Sequence, residues 1–209
     1  MNNGGNMLEF DHLAVVACDL DEGRAAVEET LGVALQPGGQ HAYFGTHNLL
    51  LGLDYGLYLE VIAVDPEAPD PGVTRWFDLD RVAGDPRLGN WICRSDDLDG
   101  ELARFPEAGA PVPLARGDLK WRMAVPQAGR LPFDNLFPAL MQWDCAAHPA
   151  TRLPASGCVL QRLVVSHPDA AELSTRLAPV LTDDRVVFEA GAPGLMAEVM
   201  TPSGLRVLR

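Results

Sequence analysis

The sequence predicts an α+β protein made of repeated modules, each a strand, then a helix, then further strands. Three observations carry the prediction. A strand-to-helix phrase opens the chain, the same phrase returns without a gap about eighty residues later, and each helix is followed by β-type runs.

The first copy lies in residues 8–32, LEFDHLAVVACDLDEGRAAVEETLG. The apolar stretch with Leu13, Val15 and Val16 predicts a strand. Asp19 stops it, and Glu22 follows three residues later at the spacing of a capping box, so a helix starts there. Leu20, Val27 and Leu31 fall near one helical face, and Gly32 suits the left-handed residue that closes a helix. Ala34 to Gln36 leads to a turn expected at Pro37, Gly38 and Gly39. Strands are expected over 46–53 and 57–64, joined by a turn at Tyr55 and Gly56.

The second copy is fixed by its register. Asn90 to Asp99 aligns with His12 to Asp21 residue for residue, and the Asp-Leu-Asp triplet at Asp97, Leu98 and Asp99 matches Asp19, Leu20 and Asp21. Leu98, Leu102 and Phe105 supply the helix face, and Pro106 ends it. Strands follow over 112–115, 120–125 and 139–143. A looser third copy starts at Leu160: Asp169 and Glu172 repeat the cap spacing, Leu173, Leu177 and Leu181 follow at intervals of four, and strands are expected over 186–190, 195–201 and 205–208. Proline-rich connectors at 66–72 and 148–157 separate the copies. The expected organisation is therefore 8–80, 88–147 and a partial module at 157–209. A lone module of roughly 50 residues leaves an apolar face open, so the third must dock on the other two or pair with its copy in a second chain. Symmetric pairing predicts a homodimer.

Composition narrows the function classes. Hydrophobic residues make up 47% and charged residues 22%, a globular balance that argues against disorder. The net charge of −13 repels phosphate backbones and anionic lipid, so neither nucleic acid nor membrane is an expected partner. No apolar run is long enough to span a bilayer. The first ten residues lack the basic and apolar regions of a secretion signal, and the first six read as a loose end. A cytoplasmic protein is the expectation. Cys18, Cys93, Cys145 and Cys158 show no CxxC spacing and read as reduced thiols rather than a zinc or redox site.

Several strings together, DHLAVVACDLDEG, PGGQHAYFGTHNLLLGL, YLEVIAVDPEAP and RWFDLD, then WRMAVP, LPFDNLFPALMQWD and HPAT, carry a resemblance. The chain resembles the glyoxalase-like proteins of the vicinal-oxygen-chelate (glyoxalase/bleomycin resistance/extradiol dioxygenase) superfamily over most of residues 8 to about 175. The resemblance implies paired βαβββ modules that curve into a mixed-sheet cup, holding a divalent metal (Zn, Ni, Fe or Mn) in the enzymatic members and no organic cofactor. It also implies ligands on the first and last strands of each module. Carried over, these are His12 and Glu60 in the first and Asn90 and Gln142 in the second. Asn90 is an unusual ligand, so half of the familiar site is altered.

A carboxylate between Leu59 and Val61 is costly to bury without a metal or a histidine beside it. The alternative is a solvent-facing Glu60 and a core His12 satisfied by neighbours. His47 is a candidate third ligand or general base, and His41 a substrate donor, because both flank a glycine-rich turn. His148 and His167 precede prolines and read as turn residues. Trp121 and Trp143 are candidate cup walls, and Arg122 a candidate anion binder or a solvated surface arginine. Glu198 takes the third-copy position matching Glu60, although turn chemistry also accounts for it.

Two function classes follow. One is a metal-assisted enzyme that stabilises an oxyanion or enediolate of a small oxygenated substrate, with lyase, isomerase or dioxygenase chemistry. Glu60 and His47 are its catalytic candidates. The other is a non-catalytic cup that sequesters a small molecule.

Overall fold

The computed structural model describes residues 7–209; the first six lie outside the described residues. The first module runs β1 (Glu9–Val16), α1 (Leu20–Leu31), β2 (Gln36–His41), β3 (Thr46–Leu53) and β4 (Leu57–Val64). The second runs β5 (Arg87–Arg94), α2 (Leu98–Arg104), β6 (Ala110–Arg116), β7 (Leu119–Val125), a single turn α3 (Pro132–Asn135) and β8 (Ala139–Trp143). In each module the first strand lies parallel to the last, β1 beside β4 and β5 beside β8. The two modules join where β1 and β5 pair antiparallel, which gives one eight-stranded mixed sheet in the order β2-β3-β4-β1-β5-β8-β7-β6. The sheet curls until its two edges meet, as Arg116 at the end of β6 bonds across to residues of β2 and β3.

Local chemistry explains the helix ends. The Asp19 carboxylate accepts the Asp21 and Glu22 amide hydrogens at 2.8 and 3.0 Å, and Gly32 closes α1 at φ 70°. Asp97 caps α2 through the Gly100 amide at 2.9 Å. The Pro37-Gly38-Gly39 sequence is no turn: it lies inside β2 and produces a register shift against β3.

The C-terminal segment consists of β9 (Val159–Ser166), α4 (Ala170–Leu177), β10 (Val186–Glu189), β11 (Gly194–Thr201) and β12 (Gly204–Leu208), with strand order β10-β9-β11-β12. Its connection differs from that of the modules. Here the strand parallel to the first one comes directly after the helix, and β11 runs antiparallel to β9 on the other side. Glu198 therefore pairs with Arg162 across an antiparallel ladder, not in the parallel setting of Glu60. Asp169 makes no side-chain cap bond, and the helix stops at Leu177, short of Leu181.

This second sheet packs on the first within the chain. Phe188 meets Trp91, the Arg185 guanidinium lies over Phe10, and Leu8 bridges to Leu181. Leu160, Leu163, Val165 and Leu195 enter the same core as Leu13 and Trp91. The open apolar face that motivated a homodimer is thus covered by the chain itself. No helix among the described residues is long and apolar enough to cross a membrane.

Candidate functional site

The concave face of the curled sheet holds a narrow cavity between the modules. The first module gives it His12, His41, Asn48, Tyr58 and Glu60, and the second gives Arg116, Trp121, Met123, Met141 and Trp143.

The polar half is built around a backbone irregularity. Phe10 pairs with Cys93 and His12 with Ile92, so Asp11 has no partner on β5. Such a bulge re-aims side chains, and it lets Asp11 and His12, adjacent in sequence, meet on one face. Asp11 Oδ1 lies 2.7 Å from His12 Nδ1. Its other oxygen accepts from Trp143 Nε1 at 3.0 Å, His148 Nε2 at 3.0 Å and Arg94 at 3.2 Å. His12 Nε2 lies 3.4 Å from Glu60 Oε2. The Tyr58 ring stacks on the imidazole with centroids 4.3 Å apart. Asp11, His12 and Glu60 are 0%, 3% and 5% exposed, so the row Asp11–His12–Glu60 is a buried relay.

The protonation states follow from this packing. Burial opposes charge on His12, but Asp11 and Glu60 outweigh it and raise the imidazole pKa. Burial opposes ionisation of Glu60, yet His12, His41 and Asn48 together lower its pKa. Asp11 is also buried, and its bonds to His12 and His148 hold it far below the usual carboxylate range. Burial pushes Tyr58 well up, with the Asp11 and Glu60 charges adding to it. All three shifts run toward the charged forms, an imidazolium between two carboxylates.

A second chain of bonds leads from Glu60 to the rim. Glu60 Oε1 accepts from Asn48 Nδ2 at 2.8 Å. Asn48 Oδ1 accepts from the Gly39 amide at 2.8 Å and from Arg116 at 3.1 Å. A side chain at Gly38 would place Cβ 2.1 Å from Asn48 Oδ1, and one at Gly39 2.7 Å from Arg116 Cδ. Glycine at both positions is what lets these groups approach. His41 Nε2 lies 3.2 Å from Arg116 Nη1, and its Nδ1 3.1 Å from Thr46 Oγ1. An arginine has no lone pair to offer, so Nε2 accepts and Nδ1 carries the proton. Burial lowers the His41 pKa to about 4, and the Arg116 charge adds to the shift.

The sequence-derived candidates divide by strand face. His12, Glu60, His41, Trp121 and Trp143 line the cavity. His47 does not: Asn48 and Leu50 face the cavity, so the alternation of β3 turns His47 to the opposite face. Arg122 and Gln142 face away as well. Arg122 bonds Asp99 at 2.9 Å and Gln142 at 2.8 Å, and Gln142 accepts the Leu98 amide at the start of α2. The second-module arginine in the cavity is Arg116. Asn90 is buried away from the cavity lining, 3.4 Å from both the backbone oxygen and the side-chain amide of Asn135. Asp11, Asn48, Tyr58, Arg94 and His148 complete the polar half, and no motif or spacing in the sequence marks them as site residues. His148 does form its expected turn, its Nδ1 accepting the Ala150 amide at 3.3 Å, and that leaves Nε2 as the donor to Asp11.

The donor set does not fit a divalent metal. Among the described residues no three His, Cys, Asp or Glu side chains converge as ligands. His41 shares the cavity with His12 and Glu60, but its Nε2 is taken by Arg116 and its Nδ1 by Thr46. The other neighbours include Met123, Met141 and a guanidinium, where a metal needs a free third donor and no adjacent cation.

The family model for the glyoxalase-like domain matches residues 10–181. The chain belongs to the glyoxalase-like domain family. It thereby joins the vicinal-oxygen-chelate superfamily, whose members often use divalent metals. Among solved structures, a hypothetical protein from Staphylococcus aureus is similar at 15% identity and TM-score 0.65, covering 90% of this chain and 88% of its own. That likeness shows one fold shared with that protein over nearly the whole chain. Methylmalonyl-CoA epimerase from Mycobacterium tuberculosis matches at 18% identity and TM-score 0.45, over 70% of this chain and 94% of its own. A variant of Streptomyces coelicolor methylmalonyl-CoA epimerase, in complex with 2-nitronate-propionyl-CoA, matches at 14% identity and TM-score 0.43, over 68% of this chain and 100% of its own. A comparison with curated proteins gives no match.

Proposed function

We propose that this glyoxalase-like protein is a small-molecule enzyme that moves a proton on an oxygenated substrate without a metal, as an isomerase or lyase. The observation that carries this reading is the buried Asp11–His12–Glu60 relay at the cavity wall. Glu60 accepts a proton from a carbon next to a carbonyl. The His12 Nε2–H donates to the oxygen on which the enolate charge develops. Returning the proton to the other face of that carbon gives an epimer, and returning it to the former carbonyl carbon of an enediolate gives an isomer. Where the β-carbon bears a leaving group, collapse of the enolate forms the Cα–Cβ double bond as the group departs with its electron pair, which gives a lyase.

The two links of the relay differ in a way that suits this chemistry. His12 is held tightly by Asp11 at 2.7 Å and loosely by Glu60 at 3.4 Å. A substrate oxygen that takes the Nε2–H away from Glu60 removes one of the contacts that lower its pKa. Substrate binding thus makes Glu60 a stronger base at the moment one is needed.

The apolar wall of Trp121, Met123, Met141 and Trp143 favours a second reading, a cup that only sequesters its ligand. Proton exchange separates the two. Wild-type protein treated with EDTA is incubated in D2O with a panel of small 2-oxo and 2-hydroxy compounds, and deuterium uptake at carbon is followed by NMR. The enzyme reading expects chelator-insensitive uptake into at least one compound, lost in Glu60→Gln and His12→Gln. Binding of a compound with no uptake supports the sequestering cup instead.

A further inference from the structure

We infer that Arg116 is the anchor for a substrate carboxylate, which makes the ligand of this cavity a small organic acid. The inference rests on the proton-transfer reading for what happens at the far end of the cavity, and on separate observations for the acid. In a chain with 29 acidic residues and a net charge of −13, most arginines sit within 4.0 Å of a carboxylate, among them Arg75, Arg94, Arg122, Arg152 and Arg185. Arg116 has no carboxylate partner among the described residues, although it stands in the cup. Its only hydrogen bonds there run from Nη1, to His41 Nε2 and Asn48 Oδ1. Both acceptors are neutral. They fix the side chain without cancelling its charge, and they leave the Nε and Nη2 edge of the fork uncommitted. That edge matches the two oxygens of a carboxylate.

Arg116 also stands at the right place. Together with Leu50 and Pro149 it borders both the buried cavity and an open outer groove lined by Gln36, Gln40 and Arg152. A single amide, that of Asn48, separates the guanidinium from Glu60. An acid held at the rim would point its next few atoms inward at His12 and Glu60, between the Trp121 and Trp143 walls. The short reach and the narrow cavity favour acids of a few carbons. Gly38 and Gly39 belong to the same device, since a side chain at either would displace Asn48 or Arg116.

The test is isothermal titration of the full chain at low ionic strength with acetate, lactate, pyruvate and 2-oxobutyrate, each against its primary amide. Saturable binding of at least one acid and not of its amide is expected. Arg116→Gln should weaken it by about tenfold or more, as loss of a charge-assisted pair does. Arg116→Lys should fall between, because a point charge cannot form the fork. Arg87→Gln, which removes another arginine without a carboxylate partner, outside the cavity, should leave it unchanged. If Arg116→Gln fails to fold, Arg116→Lys carries the test. Equal binding of acids and amides, equal binding by wild type and the Arg116 variants, or no binding of any acid overturns the assignment. Acid binding that depends on Arg116 but brings no deuterium uptake leaves the anchor standing and removes the proton-transfer reading. Uptake into an uncharged compound, independent of Arg116, does the reverse.

Discussion

The two βαβββ modules share one strand order and meet at one cavity, yet they give it opposite chemistry. The first supplies the buried relay and its supports, Asp11, His12, Asn48 and Glu60. The second supplies an apolar wall, Trp121, Met123, Met141 and Trp143, with one arginine at the rim. The positions matched to His12 and Glu60 have been moved to other work: Asn90 is tied to Asn135, and Gln142, held by Arg122, pins the start of α2. A repeated fold thus fixes the shape of a cup without fixing what lines it.

Removing one charge from each module should have very unequal effects. Asp11→Ala takes the shared acceptor from His12, Arg94, His148 and Trp143 and leaves a buried cation, so it should cost about 3–5 kcal/mol in urea unfolding. Arg122→Ala, whose partner Asp99 is exposed, should cost no more than about 1 kcal/mol. Similar losses in the two variants would mean that the polar half is not a buried network.

The same network sets the pH response. Asp11 and Glu60 are shifted down, so their contributions are present above the unfolded-state values and are lost as pH falls through the folded ones. His12 is shifted up, so its contribution is complete below the ordinary histidine pKa and is lost as pH rises through the raised value. The stability difference between wild type and His12→Gln should therefore shrink as pH rises above the ordinary histidine range. A difference that grows in that direction contradicts the assignment.

Much of the fold was legible because its signals are local. The cap at Asp19, the β-type runs of β3 and β4 with the Tyr55-Gly56 turn between them, and the gapless return of His12–Asp21 at Asn90–Asp99 each depend on neighbours a few residues apart. The site was legible only in part, for a physical reason. Trp121 with Arg122, and Trp143 beside Gln142, all read as cavity residues from sequence, but adjacent residues of a regular strand face opposite ways. Parity alone removes one of each pair. Asp11 breaks that rule through a bulge, which depends on the partner strand and leaves no mark in the sequence. Arg116 and Asn48 meet only because the sheet curls far enough for β6 to reach β2 and β3.

Milder substitutions should differ in the same direction. Asn48→Leu keeps the approximate volume but strands Glu60, Arg116 and the Gly39 amide, and should cost about 1–3 kcal/mol. Met141→Leu, a swap of similar volume on the opposite wall, should cost less than about 1.5 kcal/mol. Smaller still is the contrast between caps. Asp19→Ala should cost about 1 kcal/mol, because its carboxylate holds two amides. Asp169→Ala should cost a few tenths at most, since its side chain makes no cap bond.

A histidine buried between two carboxylates should carry a proton on each ring nitrogen at neutral pH, and the roles given to His12 and Glu60 both depend on that state. Nitrogen-15 NMR of the imidazoles reads this directly, with His12 assigned by its loss in His12→Gln. Two protonated nitrogens for His12 near neutral pH, persisting after EDTA treatment, are predicted. A single neutral tautomer that titrates like a free histidine, or a nitrogen shift that changes on chelation, would contradict the account.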